Sequence, residues 1–369
     1  MAKIAVIVSP KGISDAGGVE RVMFYTRQVL IAQGYSVLLL DARFLRHASL
    51  GRSASFLLKG RFGFFWQSAL LSYYAHTFRK KGAFVIGNGY SAFLVKADVL
   101  FCHGSMHGYR VAKAAGLQIP HTWKLKLFGL EEIMEMIAGQ RAKKVLAVSP
   151  QAAREWQKYY RTAAKKIRIL PNTVDTMHFK PTAASSRLSN HSSKPSLKVL
   201  FVGRLEWMKG IDRIKAFAEY CLEHHQPVTL TLVSPDARGS EILQVLPNIS
   251  IQTRVSYAHL PDLYGASDVV YFPSRYEGFE MVTLEALACG IPVVGTQVGA
   301  IAYLLDRSFP GVYHADTNNF AQLYDILAHA ASEWKDLARK QEMHHAVEQE
   351  FGIAPWSSHL AAIVGEPDA

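Results

Sequence analysis

The sequence predicts an α/β protein made of two Rossmann-like domains, each a parallel sheet with crossover helices. Short apolar, β-branched runs alternate with stretches of helical periodicity in both halves of the chain. The alternation is interrupted once, by a segment rich in Ser, Pro and Asn. With 369 residues the chain is also long enough for two hydrophobic cores. A composition of 49% hydrophobic and 19% charged residues excludes collagen-like and disordered proteins.

The first half begins with a strand, a loop and a helix. Residues 3–8 (KIAVIV) form the strand, a glycine-bearing loop follows Pro10, and residues 19–33 carry the helical period. This half contains four more predicted strands, at residues 35–40, 83–86, 99–102 and 144–148. We assign residues 1–180 to this N-terminal domain.

The interdomain linker is predicted at residues 181–196 (PTAASSRLSNHSSKPS), which have no apolar period. The α/β pattern then resumes over residues 197–350, with strands predicted at 197–202, 228–233, 249–251, 269–272 and 292–294. Residues 351–369 place Trp356, Leu360 and Ile363 on one helical face. We expect this C-terminal helix to pack back on the N-terminal domain.

Charge is distributed unevenly between the halves. Residues 1–180 contain 27 Lys and Arg against 9 Asp and Glu, a net +18, whereas residues 181–369 contain 14 against 21, a net −7. Such a basic half indicates a polyanionic neighbour: nucleic acid, an anionic bilayer or a phosphorylated substrate. Nucleic acid is disfavoured, because the sequence has no RRM, KH or zinc motif and its phosphate-type loops lie in the acidic half.

The basic residues are densest between Arg43 and Lys81, a stretch without any acidic residue. Its cations are Arg43, Arg46, Arg52, Lys59, Arg61, Arg79, Lys80 and Lys81, interleaved with the aromatics Phe44, Phe56, Phe62, Phe64, Phe65 and Trp66. This composition is typical of a surface that binds an anionic membrane. The alternative is a core of aromatics beneath an ordinary solvated face.

Cysteine usage and apolar runs bear on the compartment. The three cysteines have neither disulfide-framework nor zinc-ligand spacing, which favours a reducing compartment. The apolar run at the start is too short for a secretory signal, and residues 62–78 are too polar for a spanning helix. We expect a cytoplasmic protein, peripheral at the inner face of the membrane.

The richest constellation follows the strand at residues 269–272. The loop there holds Glu277, and a helix starting near Met281 holds Glu285, so the carboxylates have E-x7-E spacing. The amides of residues 279–282 lie at a helix N-terminus, which attracts anions, and ionised carboxylates accept hydrogen bonds from sugar hydroxyls. Alternatively, Glu277 caps the helix and Glu285 is a surface residue.

Two cations follow the first strand of the second half, in the segment GRLEWMKGID. Arg204 and Lys209 lie where ligands bind in open α/β sheets, at the carboxyl ends of strands. A guanidinium fork and an ammonium together suit a diphosphate. The alternative is an interdomain salt bridge.

Two weaker signals lie in the first half. Gly17 and Gly18 precede a helix and allow a ligand to approach the backbone, although the segment lacks the G-x-G-x-x-G pattern of dinucleotide binding. His103 directly follows a strand, so it is a candidate for the same crevice, or else a histidine bonded to a loop carbonyl. We interpret His107 as a bystander.

These segments together resemble the retaining GT-B glycosyltransferases of family 4, also called glycosyl transferases group 1. The resemblance is strongest over residues 197–305, where GRLEWMKGID is similar to the family's G-R-L-x-x-x-K-G motif. SDVVYFPSRYEGFEMVTLEALACGIPVVGTQVGA is similar to its E-x7-E signature. In the first half GGVERV, LFCHGS, LAVSP and ILPNTVDTMHF carry a thinner similarity. Departures from the family's pattern are Thr173 in place of the hinge glycine, Glu280 in place of a small residue or Pro, and VSPDARG at 233–239 in place of the usual G-x-G loop.

The resemblance implies a GT-B fold, two Rossmann-like domains facing across a cleft, and it implies a role for each candidate residue. Arg204, Lys209, Gly17 and Gly18 would bind the donor diphosphate, and Glu285 the ribose. Glu277 and residues Phe279, Glu280, Met281 and Val282 would hold the transferred sugar. His103 and Glu277 would be the catalytic residues, with His103 near the reacting carbon and orienting rather than attacking.

The predicted function is therefore transfer of a sugar from a UDP- or GDP-sugar to a hydroxyl of a lipid-linked or glycan acceptor, in polysaccharide or lipopolysaccharide synthesis. The resemblance implies front-face attack, so we expect no covalent enzyme intermediate. Arg204, Lys209 and a helix N-terminus can stabilise the leaving anion, so no cofactor and no metal are expected. The alternative is a soluble GT-B transferase that acts on a small phosphorylated acceptor.

Overall fold

The structure, a computed structural model, describes residues 3–14, 17–49, 58, 62–116, 129–181, 196–243 and 245–366. The chain forms two compact units. Unit 1 comprises residues 1–172 and 354–369, and unit 2 comprises residues 173–353. The division between units falls before the linker predicted at 181–196, of which residues 182–195 lie outside the described part.

Unit 1 is built on a six-stranded sheet in which every pair of neighbouring strands is parallel. Its strands are β1 (Lys3–Val8), β2 (Tyr35–Leu40), β3 (Phe84–Asn88), β4 (Val99–Cys102), β5 (Lys144–Ala147) and β6 (Ile167–Ile169). The spatial order is β2-β1-β3-β4-β5-β6. The four residues of β4 are all buried, as expected for an apolar strand covered on both faces.

The helices of unit 1 lie in the connections between strands, except that β3 and β4 are joined by the short 3₁₀ turn Gly89–Ala92. These helices are α1 (Gly18–Ala32), α2 (Ala42–His47), α3 (Gly63–Lys80), α4 (Met106–Gly116), α5 (Leu130–Arg141) and α6 (Pro150–Tyr160). Local sequence defines their starts: the Ser149 hydroxyl accepts from the amide of Ala152 at 3.1 Å, and Pro150 occupies the first turn of α6. Asp41 caps α2 in the same way through the amide of Phe44.

Unit 2 repeats the architecture with a second six-stranded parallel sheet. Its strands are β7 (Leu197–Val202), β8 (Val228–Ser234), β9 (Ile249–Thr253), β10 (Val269–Phe272), β11 (Val293–Gly295) and β12 (Val312–His314). The spatial order is β12-β11-β10-β7-β8-β9. Its helices are α7 (Ile211–Glu223), α8 (Leu260–Gly265), α9 (Met281–Ala288), α10 (Gly299–Leu305), α11 (Phe320–Glu333) and α12 (Leu337–Phe351).

The last helix, α13 (Ile353–Gly365), belongs to unit 1 from Ala354 onward. Its buried face carries Trp356, Leu360 and Ile363, the residues that the sequence places on one face. The Trp356 indole donates to the carbonyl of Pro171 at 2.9 Å, and the Lys144 ammonium donates to the carbonyl of Ile363 at 2.8 Å. These contacts hold α13 on unit 1.

The chain passes between the units twice. The Thr173 hydroxyl, at the position where the family pattern has glycine, donates to the carbonyl of Phe351 at 2.8 Å. Val174 forms a parallel bridge with Gly352. Thr173 is fully buried. Its backbone has fewer accessible conformations than that of a glycine, and its hydroxyl adds the hydrogen bond to Phe351.

All ten strands predicted from the sequence form, which confirms the two-sheet α/β class. Two further strands, β6 and β12, form sheet edges and are not predicted from the sequence, because neither is fully buried and neither has the continuous apolar run of an inner strand. In the part of the chain that is described, no helix is both long and apolar enough to cross a membrane.

Candidate active site

The order of the strands places the two motif-bearing loops of unit 2 side by side. Strand β7 is the first strand of this unit, and the chain adds β8 and β9 on one side of it and β10 to β12 on the other. The loops after β7 and β10 therefore leave the sheet at its topological switch point, where open α/β sheets bind ligands. Lys209 lies on the first of these loops and Glu277 on the second.

Lys209 and Glu277 form the charged centre of this site. The Lys209 Nζ lies 2.5 Å from Glu277 Oε1, and their side chains are 19% and 11% exposed. The ammonium also lies 5.6 Å from the centroid of the Phe272 ring. A half-shielded ion pair beside apolar surface interacts more strongly than one in open solvent, and it presents both a cation and an anion to a ligand.

Arg275, which the sequence motifs did not single out, joins the same two loops. Its guanidinium donates to both carboxylate oxygens of Asp212, at 2.7 and 2.6 Å, and to the carbonyl of Trp207 at 2.6 Å. It also stacks on the Trp207 ring at 3.9 Å from the centroid. The sequence signal was present, because Arg275 and Asp212 lie within the two motif segments.

The Glu280 carboxylate connects the first turn of α9 with the start of α10. It accepts from the amides of Ala300 at 2.9 Å and Ile301 at 3.2 Å, and from the Thr283 hydroxyl at 2.8 Å. Burial, aided by the charge of nearby Glu277, raises the pKa of Glu280 to about 7. Gly299 permits this arrangement: its φ is +55°, and a Cβ there would lie 2.2 Å from the Glu280 carboxylate.

The side chain of Glu280 thus caps α10, while the first turn of α9 has no side-chain cap. Phe279 and Met281 are buried, and Val282 is half-buried. The backbone amides at the start of α9 are the groups that the sequence assigns to the transferred sugar. The structure places them directly after Glu277, in a helix N-terminus that attracts negative charge.

Glu285 lies in the second turn of α9 and is 4% exposed. Its Oε2 accepts a hydrogen bond from the Tyr264 hydroxyl at 3.0 Å. This contact orients the carboxylate. The alternative interpretation, in which Glu285 is a surface residue, is therefore wrong.

Arg204 is arranged differently from Lys209. Its side chain is 60% exposed and pairs with Glu206 at 2.9 Å. The segment 233–239, which departs from the family pattern, ends in a second surface pair, Asp236 with Arg238. Hydrogen bonds from Arg238 lower the pKa of Asp236 to about 2. Arg204 thus lies on the loop after β7, but its side chain is mostly exposed and pairs with Glu206 instead of with Glu277.

Unit 1 has its own switch point, between β1 and β3. Gly17 and Gly18 follow β1 there and start α1, with Gly17 in extended backbone as the N-cap. A Cβ at Gly17 would lie 2.2 Å from Oε2 of Glu20. The carboxylate of Glu20 therefore already lies at this helix N-terminus.

His103 follows β4 at the carboxyl edge of the unit 1 sheet. Its ring stacks on Phe101 with the centroids 6.1 Å apart, and both ring nitrogens are buried without a hydrogen-bond partner among the described residues. Burial lowers the pKa of His103 to about 4, so the imidazole is neutral at pH 7. The alternative, a ring bonded to a loop carbonyl, does not occur in the described part of the protein.

The loop that carries His103 is held rigidly. The Trp156 indole donates to the carbonyl of Gly104 at 2.8 Å, and the amide of Met106 donates to Glu135 Oε2 at 2.9 Å. Burial raises the pKa of Glu135 to about 7. His107, by contrast, is tied into an ion-pair cluster with Glu132 and Arg110.

Comparison with known families identifies both halves of the chain. Residues 196–330 match "Glycosyl transferases group 1", and residues 16–178 match "Glycosyltransferase Family 4". Together the two matches include every candidate site residue from Gly17 to Glu285.

Among curated proteins, a D-inositol 3-phosphate glycosyltransferase of Segniliparus rotundus is 33% identical over 42% of this chain and 37% of its own length. The alignments with the first curated relatives span between about a third and two thirds of those proteins.

Solved structures share the fold over almost the whole chain. Sucrose-phosphate synthase from Thermosynechococcus elongatus has a TM-score of 0.72 at 20% identity, covering 98% of both chains. Anabaena HepE in complex with UDP and glucose has a TM-score of 0.68 at 17% identity, covering 100% of both chains. At these identities the likeness concerns the fold. With both family matches and the motif loops at the switch points, the chain belongs to the group 1, or family 4, glycosyltransferases of GT-B fold.

Proposed function

We propose that this protein is a retaining glycosyltransferase that moves a sugar from a nucleotide diphosphate sugar, with UDP or GDP as the nucleotide, to an acceptor hydroxyl. The Lys209–Glu277 pair at the switch point of unit 2, next to the uncapped start of α9, carries this proposal. It offers a cation and amide donors for a diphosphate, and a carboxylate for sugar hydroxyls.

Each site residue has a proposed role. Lys209 and Arg204 bind the donor diphosphate, with Gly17 and Gly18 as further phosphate contacts. Glu277 and the backbone from Phe279 to Val282 hold the transferred sugar, and Glu285 holds the ribose. Since the Glu280 carboxylate is bonded to α10, only the backbone of Glu280 contributes. His103 acts at the reacting carbon as a neutral, hydrogen-bonding group.

The chemical need is to stabilise the charge that develops on the leaving nucleotide diphosphate. A fixed ammonium and a helix N-terminus act on that charge in a partly shielded site, where they are stronger than in water. We therefore propose that transfer requires no divalent metal and no other cofactor. The acceptor hydroxyl attacks the sugar directly, and its proton passes to an oxygen of the leaving diphosphate. No covalent enzyme intermediate therefore forms.

The test is nucleotide release from a panel of UDP-, GDP- and ADP-sugars by the purified protein, with EDTA present and absent. We expect slow release from one nucleotide class, unchanged by EDTA, because water can replace the acceptor at the reacting carbon. Release from none of the donors, together with no saturable binding of UDP, GDP or ADP in calorimetry, would contradict the assignment. Release that EDTA abolishes would contradict metal independence alone.

For the acceptor we propose a lipid-linked or glycan molecule at an anionic membrane, in polysaccharide or lipopolysaccharide synthesis. The support is one face of α3: Phe62, at its N-cap, Trp66 and Tyr73 are 54%, 39% and 50% exposed. Their spacing of four and seven residues places them in one stripe, which Lys80 extends. Exposed aromatics with nearby cations are typical of membrane interfaces.

In the structure, some residues of the basic and aromatic stretch 43–81 are packed within unit 1 and others are exposed. Phe44, Phe64 and Phe65 pack on other rings of unit 1, and Arg79 pairs with Asp98 at 2.7 Å. Lys80 and Lys81 are exposed, as are Arg43 and Arg46. Arg52, Phe56, Lys59 and Arg61 lie outside the described residues. Part of the stretch is therefore structural, and the proposed membrane surface consists of Phe62, Trp66, Tyr73, Lys80 and Lys81.

We expect wild-type protein to bind vesicles that contain anionic lipid and to dissociate at high salt. Lys80→Gln with Lys81→Gln should weaken binding by about 30-fold, because the two cations near the surface contribute about 1 kcal/mol each. Trp66→Ser with Tyr73→Ser should weaken it further. Lys215→Gln, an exposed cation of α7 paired with Glu219, is the control. Absent or salt-insensitive binding would remove the membrane proposal.

A small phosphorylated acceptor is the second candidate, favoured by the printed name of the S. rotundus relative. The basic N-terminal half would then serve the acceptor phosphate instead of a bilayer. A protein that ignores vesicles but transfers to inositol phosphate or a sugar phosphate would establish this alternative. The donor site in unit 2 is the same under both proposals.

A further inference from the structure

Arg275 connects the two loops of the donor site through four separate contacts. Its guanidinium binds the Asp212 carboxylate in a bidentate manner, donates to the carbonyl of Trp207 and covers the Trp207 ring. Its own amide donates to the carbonyl of Met208 at 2.8 Å. All partners lie between residues 207 and 212, immediately before and after Lys209.

Neighbouring contacts fix the same segment. The Arg213 guanidinium, in the first turn of α7, donates to the carbonyl of Pro273 in the β10 loop at 2.9 Å. Gly210 has φ +81°, and a Cβ there would lie 2.3 Å from the same carbonyl. The turn that contains Lys209 therefore packs closely against the loop that contains Glu277.

The contacts of Arg275 restrict the geometry of this segment. The Arg275 side chain is 14% exposed and that of Asp212 is 44% exposed, and the two pair in a bidentate manner. A planar guanidinium that spans a ring, a carbonyl and a carboxylate restricts orientation much more than a single pair does. A lysine side chain has many rotamers, so the Lys209 ammonium is held in one place only when both its backbone and its partner Glu277 are held.

We propose that Arg275 is a positioning residue: it fixes the turn from Trp207 to Asp212 so that the Lys209 ammonium is held for the donor diphosphate. This rests on the proposed function, which assigns the diphosphate to Lys209. Arg275 itself touches no donor atom. Its loss should therefore weaken recognition of the diphosphate and leave recognition of the nucleoside unchanged.

The experiment measures binding of the nucleoside diphosphate that wild type prefers among UDP, GDP and ADP, and of the matching nucleoside. We expect Arg275→Ala to weaken diphosphate binding about tenfold, because small displacements of a positioned group have large effects. Arg275→Lys should recover part of this loss, since lysine keeps the charge without the fork. Nucleoside affinity should differ from that of wild type by no more than about twofold, because the substitution does not displace the groups that bind the nucleoside.

The matched control is Arg339→Ala. Arg339 also lies over a tryptophan, Trp334 at 5.6 Å, and pairs with a carboxylate, Glu333 at 3.0 Å, but outside the donor loops. Arg339→Ala should change neither the affinity for the diphosphate nor the affinity for the nucleoside. Melting temperatures establish that each variant is folded.

The outcomes separate the two proposals. If Arg275→Ala weakens diphosphate and nucleoside equally, or weakens neither, the positioning role is overturned. If Lys209→Ala loses diphosphate affinity while Arg275→Ala does not, the donor site stands and only the inference about Arg275 fails. If wild type binds none of the three diphosphates, both proposals fail.

Discussion

Lys209→Ala is expected to lower kcat/KM for the nucleotide-sugar donor by about 100-fold or more, the usual effect of removing one preorganised group that stabilises a leaving anion. The ammonium is fixed 2.5 Å from Glu277, at the switch point of unit 2. Its removal takes away the cation that the proposed function assigns to the donor diphosphate. Nucleotide release in the donor panel is the measurement.

Lys215→Ala is the control, since its side chain is exposed on α7 and pairs with Glu219 at 2.6 Å. Lys209→Ala also leaves Glu277 partly buried without its cation, which destabilises the protein. Melting temperature therefore has to accompany the kinetics, and Glu277→Gln with Lys209→Ala removes the unpaired charge. An unchanged kcat/KM in folded Lys209→Ala protein would refute the role of Lys209.

His103→Ala is expected to lower kcat by about 100-fold, within the usual range for a positioned proton-transferring or hydrogen-bonding group, and to change donor affinity much less. Both imidazole nitrogens are buried and have no partner among the described residues, so hydrogen bonding to a substrate is their available use. Single-turnover kinetics and nucleotide binding separate the two effects.

The pH profile provides a second check on His103. Burial lowers its pKa to about 4, so the neutral ring persists as the pH falls through the ordinary histidine range. Activity should therefore show no loss from this histidine between pH 8 and about 5.5. His359→Ala, on the exposed face of α13, is the control and should leave kcat unchanged. Equal losses of kcat and donor affinity for His103→Ala would contradict the proposed role.

The strands, and the motifs that follow them, were predictable because both depend on local pattern. A buried parallel strand is a continuous apolar run, and the ligand-facing loop follows it directly. This was sufficient to identify Lys209, Glu277 and His103 as candidates. It could not distinguish Lys209, which is shielded and paired with Glu277, from Arg204, which is mostly exposed.

Glu280 and Arg79 illustrate contacts that local pattern cannot reveal. Glu280 follows Glu277 in the motif, yet its carboxylate caps α10, which begins at Gly299. Arg79 lies in a run of three cations, yet it pairs with Asp98 before β4. In both cases the partner is distant in the chain and is brought near by the parallel sheet. Sequence spacing alone therefore cannot identify either contact.

The sequence by itself determined the class of fold, the family and the loops that hold the candidate site, because periodicity and motif spacing are properties of neighbouring residues. The tertiary structure alone decided which side chains in those loops meet. The order of the strands sets β7 beside β10, and only that adjacency brings Lys209 to Glu277 and Arg275 to Asp212. Ion pairs and burial depend on atoms that the fold assembles from distant segments, so their geometry becomes defined only when the sheet has formed.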